Sequence, residues 1–143
     1  MVRKTTRRGL GVGSSNSVAA DALTVRQGYD LNYPLLTHQT EKHTGSLPES
    51  HSFLTVAQDN VVVTAFKKAE ESDDFVVRFY EWAGKTADIR LQFAAPLQSA
   101  ADANLIEKMG NSLPVHENEV TVATKPYEVR TVQLKLAPLV KMQ

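Results

Sequence analysis

From about residue 52 onward, short apolar runs alternate with turn-forming residues, a pattern typical of β-strands. The clearest run is 88–93, in which Ile89, Leu91 and Phe93 lie on one face and polar residues on the other. Similar runs, rich in β-branched and aromatic residues, occupy 53–56, 61–66, 75–82, 119–122 and 128–136. We expect about six or seven strands in an antiparallel β-sandwich, with a hairpin turn at 83–85.

The stretch between the fourth strand and residue 111 is ambiguous. Its good helix formers and acidic start favour a short helix over 100–109. A strand over 103–107 is at least as compatible with the pattern, and Gly110 and Asn111 then form a turn.

The first third of the chain differs in character. Residues 1–23 are rich in Gly and Ser, and Arg3, Lys4, Arg7 and Arg8 are basic without an acid before Asp21, which predicts a disordered tail. Residues 24–51 contain an apolar and aromatic stretch interrupted by Pro34, which predicts an extended linker lying across a surface. Residues 52–143 then form the sandwich.

Composition narrows the class of protein. With 143 residues, 42% apolar and 22% charged, the chain fits one globular domain. Sixteen basic residues balance sixteen acidic ones, so charge gives no reason to expect a nucleic-acid partner. No apolar run reaches the roughly 18 residues of a membrane span, and we expect no membrane association. A cytoplasmic location is the default expectation, because the region after Arg7 and Arg8 is too polar for an export signal.

Candidate chemistry is sparse. The spacing of His38, His43 and His51 matches neither a helical zinc pair nor a zinc finger. Acidic residues are densest over 70–74, which we interpret as a solvated loop between two strands. We therefore predict no catalytic, cofactor or metal site in this chain.

One strand offers a contact surface. Arg78, Tyr80 and Trp82 share a face of the run 75–82, and the intervening residues occupy the core. Large aromatic residues of this kind pack in the core or against a neighbouring domain, or they stack on sugar rings. We predict that Arg78, Tyr80 and Trp82 contact a sugar or another domain.

Five segments, in order, resemble the C-terminal β-domain of the glycoside hydrolase family 38 α-mannosidases. They are residues 28–35, 45–48 followed by 51–54, 60–70, 78–81 followed by Gly84, and 125–131, and the likeness extends over about residues 24–138. The resemblance implies a sandwich that packs against a catalytic domain. Family enzymes hydrolyse α-linked mannose with an aspartate nucleophile and a zinc ion, and the resemblance assigns both to an upstream domain outside this chain. No catalytic residue or zinc ligand is carried over to this chain.

Three functions follow as hypotheses. The chain is a non-catalytic module whose partner is the parent catalytic domain, a stand-alone module for mannose-containing glycans, or a domain that associates with a second copy of itself. A truncated gene, a fragment and a separately encoded subunit all fit the sequence.

Overall fold

The computed structural model describes residues 18–41, 44–45 and 47–137. Most of the predicted tail therefore lies outside the described residues. The elements are α1 (Val18–Asn32), β1 (Leu54–Val56), β2 (Val61–Lys68), β3 (Phe75–Glu81), β4 (Ala87–Phe93), β5 (Leu97–Ala103), β6 (Met109–Leu113), β7 (Val115–His116), β8 (Glu119–Thr124) and β9 (Val129–Leu136).

The helix α1 forms a unit of its own at the start of the chain. Its last turn is closed by the side chain of Asn32, which donates a 2.8 Å hydrogen bond to the carbonyl of Gly28. The rings of Tyr29 and Tyr33 stack with their centroids 5.7 Å apart. Pro34 ends the helix because the residue before a proline avoids the helical conformation.

This helix corrects part of the sequence-based expectation. The segment 24–51 is not extended throughout, since α1 includes it up to Asn32. The residues at the end of the predicted tail, from Val18, also belong to α1. The interruptions at Asn32 and Pro34 lie at the end of α1, so they limit the length of the helix without preventing it.

Residues 54–136 form the predicted antiparallel sandwich. A four-stranded sheet has the order β1-β4-β8-β7, and a five-stranded sheet has the order β2-β3-β9-β5-β6. The predicted alternation of β4 is confirmed, because Ile89, Leu91 and Phe93 are at most 2% exposed. They pack against buried residues of β3, β8 and β9 in a core that both sheets share. Each such side chain contributes about 1.5–3 kcal/mol through burial.

Two predicted turns are placed differently. The hairpin expected at 83–85 is a connection between sheets, since β3 pairs with β2 and β9 whereas β4 pairs with β1 and β8. Neither the helix nor the strand expected within 100–109 forms there; β5 ends at Ala103, and Gly110 and Asn111 lie inside β6. The alanines that suggested a helix, Ala100 and Ala101, are buried in β5, where their small size suits close packing.

Candidate functional site

The three predicted contact residues lie along and just beyond one strand of the five-stranded sheet. Val77 and Phe79 of β3 are in the core, so Arg78 and Tyr80 lie on the outer face. Trp82 directly follows β3, and its Nε1 donates to the carbonyl of Asp59 at 3.3 Å. All three predicted residues are half-buried.

The guanidinium of Arg78 is used within the fold. Its Nε donates to Oγ1 of Thr131 at 3.1 Å, and its NH2 group donates to the carbonyl of Leu105 at 2.8 Å. Leu105 belongs to the connection between β5 and β6, residues 104–108. That connection also reaches β2, because Glu107 lies 2.8 Å from Nζ of Lys67. Since β9 and β3 separate β5 from β2 in the sheet, the connection 104–108 crosses its outer face.

A polar cluster fastens this connection. The Oε2 atom of Glu107 accepts a 3.0 Å hydrogen bond from the backbone N–H of Glu70, and Nζ of Lys67 bonds the side chains of both glutamates. Hydrogen bonds from Lys67 and then from the N–H of Glu70 lower the pKa of Glu107. Hydrogen bonds to Glu107 and then Glu70 raise the pKa of Lys67.

The acidic stretch 70–74 is confirmed as a loop between the paired strands β2 and β3. Its carboxylates bind separate partners. Lys68 lies 2.6 Å from Asp73 and, through that hydrogen bond, lowers the pKa of Asp73. Asp74 accepts a 2.9 Å hydrogen bond from the side chain of Gln133. These acids therefore stabilise the loop individually.

A buried carboxylate joins three connections at one end of the sandwich. Glu81 is 1% exposed and faces the core side of β3. It accepts hydrogen bonds of 2.8–3.2 Å from the side chain of Asn60 and from the backbone N–H groups of Ala83, Gly84, Lys85 and Tyr127. Burial on its own raises the pKa of Glu81, but the hydrogen bonds, first that from Tyr127, bring the pKa below its usual value.

Sequence reasoning missed this site. The available signal was an acid in phase with Val77 and Phe79, immediately before a glycine turn. Gly84 has a φ of 72°, and a Cβ there would lie 2.5 Å from Oη of Tyr127. Tyr127 itself has a φ of 58° and is 72% exposed. Glu81 therefore holds Tyr127 in a backbone conformation that few non-glycine residues adopt.

A cleft of about 430 Å³ lies where β5 ends and β6 and β9 begin. Its lining consists of residues 102–104, 108–110 and 128–131. Arg130 bonds both carboxylate oxygens of Asp102 at 2.5 Å and lies 3.5 Å from Glu128. This cleft combines ionic, amide and apolar side chains.

Comparison with known proteins identifies the family. The glycosyl hydrolases family 38 C-terminal beta sandwich domain matches residues 60–132, half of the chain. The chain belongs to this family. Alpha-mannosidase G of Dictyostelium discoideum is 25% identical over 114 residues, which are 77% of this chain and 10% of that protein. The chain thus spans about a tenth of the length of that relative.

The family match covers most of the sites described above. The matched region begins at Asn60, whose side chain donates a hydrogen bond to Glu81, and includes Tyr127 and the connection 104–108. In the described part of this family 38 sandwich, no three His, Asp or Glu residues are placed to hold a metal ion. His43 lies outside the described residues, and the predicted absence of a metal site stays a prediction. The one helix described is too short and too polar to cross a bilayer.

Proposed function

We propose that this chain is a non-catalytic module that packs against and stabilises the catalytic domain of an α-mannosidase-like glycoside hydrolase. The observation that carries the proposal is the family match over residues 60–132, the body of the sandwich. The relative named above is an α-mannosidase, and the matched region is only 10% of its length. A sandwich of this family accordingly has a much larger protein as its natural context.

The apex of the connection 104–108 supports this proposal. Leu105 and Ile106 are 66% and 72% exposed. Their backbone is fixed, because Oδ1 of Asn104 accepts 3.0 Å hydrogen bonds from the N–H groups of Ile106 and Lys108. Exposed apolar side chains on a fixed backbone lose little backbone entropy on binding, so they suit a protein partner.

Among the predicted contact residues, Arg78 has an indirect role in this proposal. Arg78 supports the apex from the sheet through its bond to the carbonyl of Leu105. We therefore assign the first contact with the catalytic domain to Leu105 and Ile106. Direct contact of Tyr80 and Trp82 with a sugar or another domain stays a prediction.

The test is to mix the full chain with the family 38 catalytic domain from the same organism, produced without its own C-terminal sandwich. We expect a 1:1 complex by analytical ultracentrifugation and a higher melting temperature of the catalytic domain than when alone. Leu105→Asp should weaken the complex at least about tenfold, because it places a charge in an apolar contact. Leu47→Asp is the matched control, since Leu47 is also an exposed leucine, at 56%.

The possible outcomes test the proposed complex and the proposed contact surface separately. Two species that sediment independently at high concentration, with unchanged catalytic-domain stability, would overturn the proposed function. A complex that Leu105→Asp leaves intact would retain the function and reject this apex as the contact. A homodimer of the chain that excludes the catalytic domain would favour self-association instead.

A further inference from the structure

The turn 125–128, which leads into β9, has an aromatic residue at a position that favours glycine. Pro126 fixes its own φ at about −65°, and Tyr127 follows with a φ of 58°. The N–H of Glu128 donates a 3.2 Å hydrogen bond to the carbonyl of Lys125. These are the features of a type II turn, whose third residue has a positive φ and is usually glycine or asparagine. Tyrosine at this position therefore strains the backbone of the free sandwich.

The side chain of Tyr127 does nothing inside the fold that explains this strain. Glu107 also has a positive φ, but its side chain bonds Lys67 and the N–H of Glu70. The side chain of Tyr127 is instead largely in solvent, at 72% exposure. Its hydroxyl forms no hydrogen bond within the part of the chain that the structure describes. The reason for a tyrosine here is therefore to be sought outside the sandwich.

The backbone and the ring of Tyr127 are nevertheless held in place. Its N–H donates a 3.0 Å hydrogen bond to Oε2 of the buried Glu81. Its ring lies against the backbone of Gly84, because a Cβ there would be within 2.9 Å of three atoms of the phenol. An exposed aromatic side chain that is already ordered loses little entropy on binding, and tyrosine is frequent among the residues that dominate protein interfaces. This arrangement suits contact with a protein partner.

The charges around Tyr127 distinguish between partners. Lys125 lies two residues before it and Lys85 directly follows Gly84, and both lysines are exposed. Neither lysine forms an ion pair among the residues that the structure describes. In a symmetric dimer through this surface, the lysines of two copies would approach and repel one another. A different protein, with acidic groups around an apolar pocket, fits this surface better than a second copy.

The turn is also close to the contact already assigned to Leu105 and Ile106. Thr131 of β9 accepts a hydrogen bond from Nε of Arg78, and the NH2 group of Arg78 bonds the carbonyl of Leu105. Thr131 is four residues from Tyr127, and four residues of extended chain span at most about 14 Å. One partner can therefore cover both places.

We propose that Tyr127 is a second anchor of the sandwich on the catalytic domain, inserted into an apolar pocket of that domain with an acidic rim. This role rests on the proposed function, because the catalytic domain is the partner. Tyr127 should then destabilise the free sandwich and stabilise the complex. A single substitution is expected to change the two in opposite directions.

The test compares Tyr127→Asn with the native full chain in two measurements. Asparagine tolerates a positive φ, so the melting temperature of the free chain should stay unchanged or rise by up to about 4 °C. The Kd of the complex with the family 38 catalytic domain, measured by isothermal titration calorimetry, should rise at least about tenfold. Tyr33→Asn is the matched control, because Tyr33 is exposed to a similar extent, 74%, and lies outside the turn.

Charge variants test the acidic rim of the pocket. Lys85→Glu should raise the Kd about threefold in about 50 mM NaCl and by less in about 500 mM NaCl, because ions screen an attraction between exposed charges. Lys135→Glu is the control, since Lys135 is also exposed but lies near the opposite end of β9. Equal losses of affinity in the two variants would indicate a general charge effect and overturn the acidic rim.

Three other outcomes would overturn the role of Tyr127. A complex that Tyr127→Asn leaves intact would reject the anchor and retain the proposed function, whereas a native chain that fails to bind would reject both. A melting temperature of the free Tyr127→Asn chain that falls by more than about 3 °C would mean that the ring serves the fold. A loss of affinity in Tyr33→Asn equal to that in Tyr127→Asn would mean that removing any exposed tyrosine ring weakens the complex.

Discussion

Two glutamates fasten connections to this sandwich in contrasting ways. Glu81, at one end of the sandwich, is buried and accepts hydrogen bonds from four backbone N–H groups and the amide of Asn60. Glu107, on the outer face of the five-stranded sheet, bonds one backbone N–H and the side chain of Lys67. The side chain of Lys67 is 38% exposed.

The kind of donor decides what each glutamate does for the protein. Backbone N–H groups are fixed by the fold, and those around Glu81 bond a carboxylate that is only 1% exposed. The ammonium of Lys67 lies on a flexible stem, and its attraction to Glu107 is screened by ions. We infer that Glu81 is part of the folded core, whereas Glu107 attaches the connection 104–108 partly through an ion pair that salt weakens.

The largest effect should follow from removing the charge of Glu81. In Glu81→Gln the side-chain shape is retained, but the new amide turns a donor toward backbone donors and weakens the remaining bonds. Because buried polar groups lose partners, we expect the free energy of unfolding to fall by about 3 kcal/mol. Urea unfolding, monitored by the fluorescence of Trp82, measures this change in the free energy of unfolding. The control is Glu71→Gln, at an exposed acidic residue of the loop 70–74.

The same substitution predicts a pH dependence. The pKa of Glu81 in the folded chain is below its ordinary value of 4.5, so the stabilisation is fully present above that value. It is lost as the pH falls through the lower pKa of the folded state. The gap in stability between the native chain and Glu81→Gln should therefore shrink as the pH falls below 4.5. A gap that stays constant or widens in acid would contradict a buried carboxylate in this role.

The second effect tests the Tyr127 turn that Glu81 holds. Gly84→Ala adds a Cβ that meets the phenol of Tyr127 at 2.5 Å, at a φ of 72°. We expect a loss of about 1–2 kcal/mol from strain and displacement of the ring. Gly110→Ala is the control, because a Cβ there has its closest neighbour at 3.5 Å.

A double-mutant cycle separates the backbone strain at residue 84 from the clash with the ring of Tyr127. In a Tyr127→Ala background the clash is removed, so Gly84→Ala should lose less stability than it does alone. Equal losses in both backgrounds would mean that only the backbone conformation matters. Thermal unfolding of the four chains gives the coupling.

Strand positions could be predicted from sequence because alternation carries the information directly. Ile89, Leu91 and Phe93 have the period of a half-buried strand, and β4 forms with those residues in the core. Which strands become neighbours is another matter. The runs that form β3 and β4 are consecutive in the sequence, which predicted a hairpin, although the two strands belong to different sheets.

The sites depend on contacts between residues far apart in the chain. The bond between Glu81 and the N–H of Tyr127 joins residues 46 positions apart. The turn at 104–108 forms because the side chain of Asn104 accepts a hydrogen bond from a backbone N–H group that could otherwise pair with a neighbouring strand. For this reason the sequence pattern did not show where β5 ends. The family resemblance supplied the domain type but not these contacts.

The smallest effect should follow from Glu107→Gln, and its salt dependence sharpens the contrast with Glu81. The glutamine retains an oxygen for the N–H of Glu70 but loses the ionic attraction to Lys67. We expect the melting temperature to fall by no more than about 3 °C at low salt, because one partner is well exposed. In about 1 M NaCl, where screening acts over about 3 Å, most of this difference should disappear. The loss caused by Glu81→Gln should persist in the same salt, since its partners are uncharged. If both losses were equally insensitive to salt, Glu107 would act as Glu81 does, through contacts that ions do not screen, and the contrast between the two glutamates would be wrong.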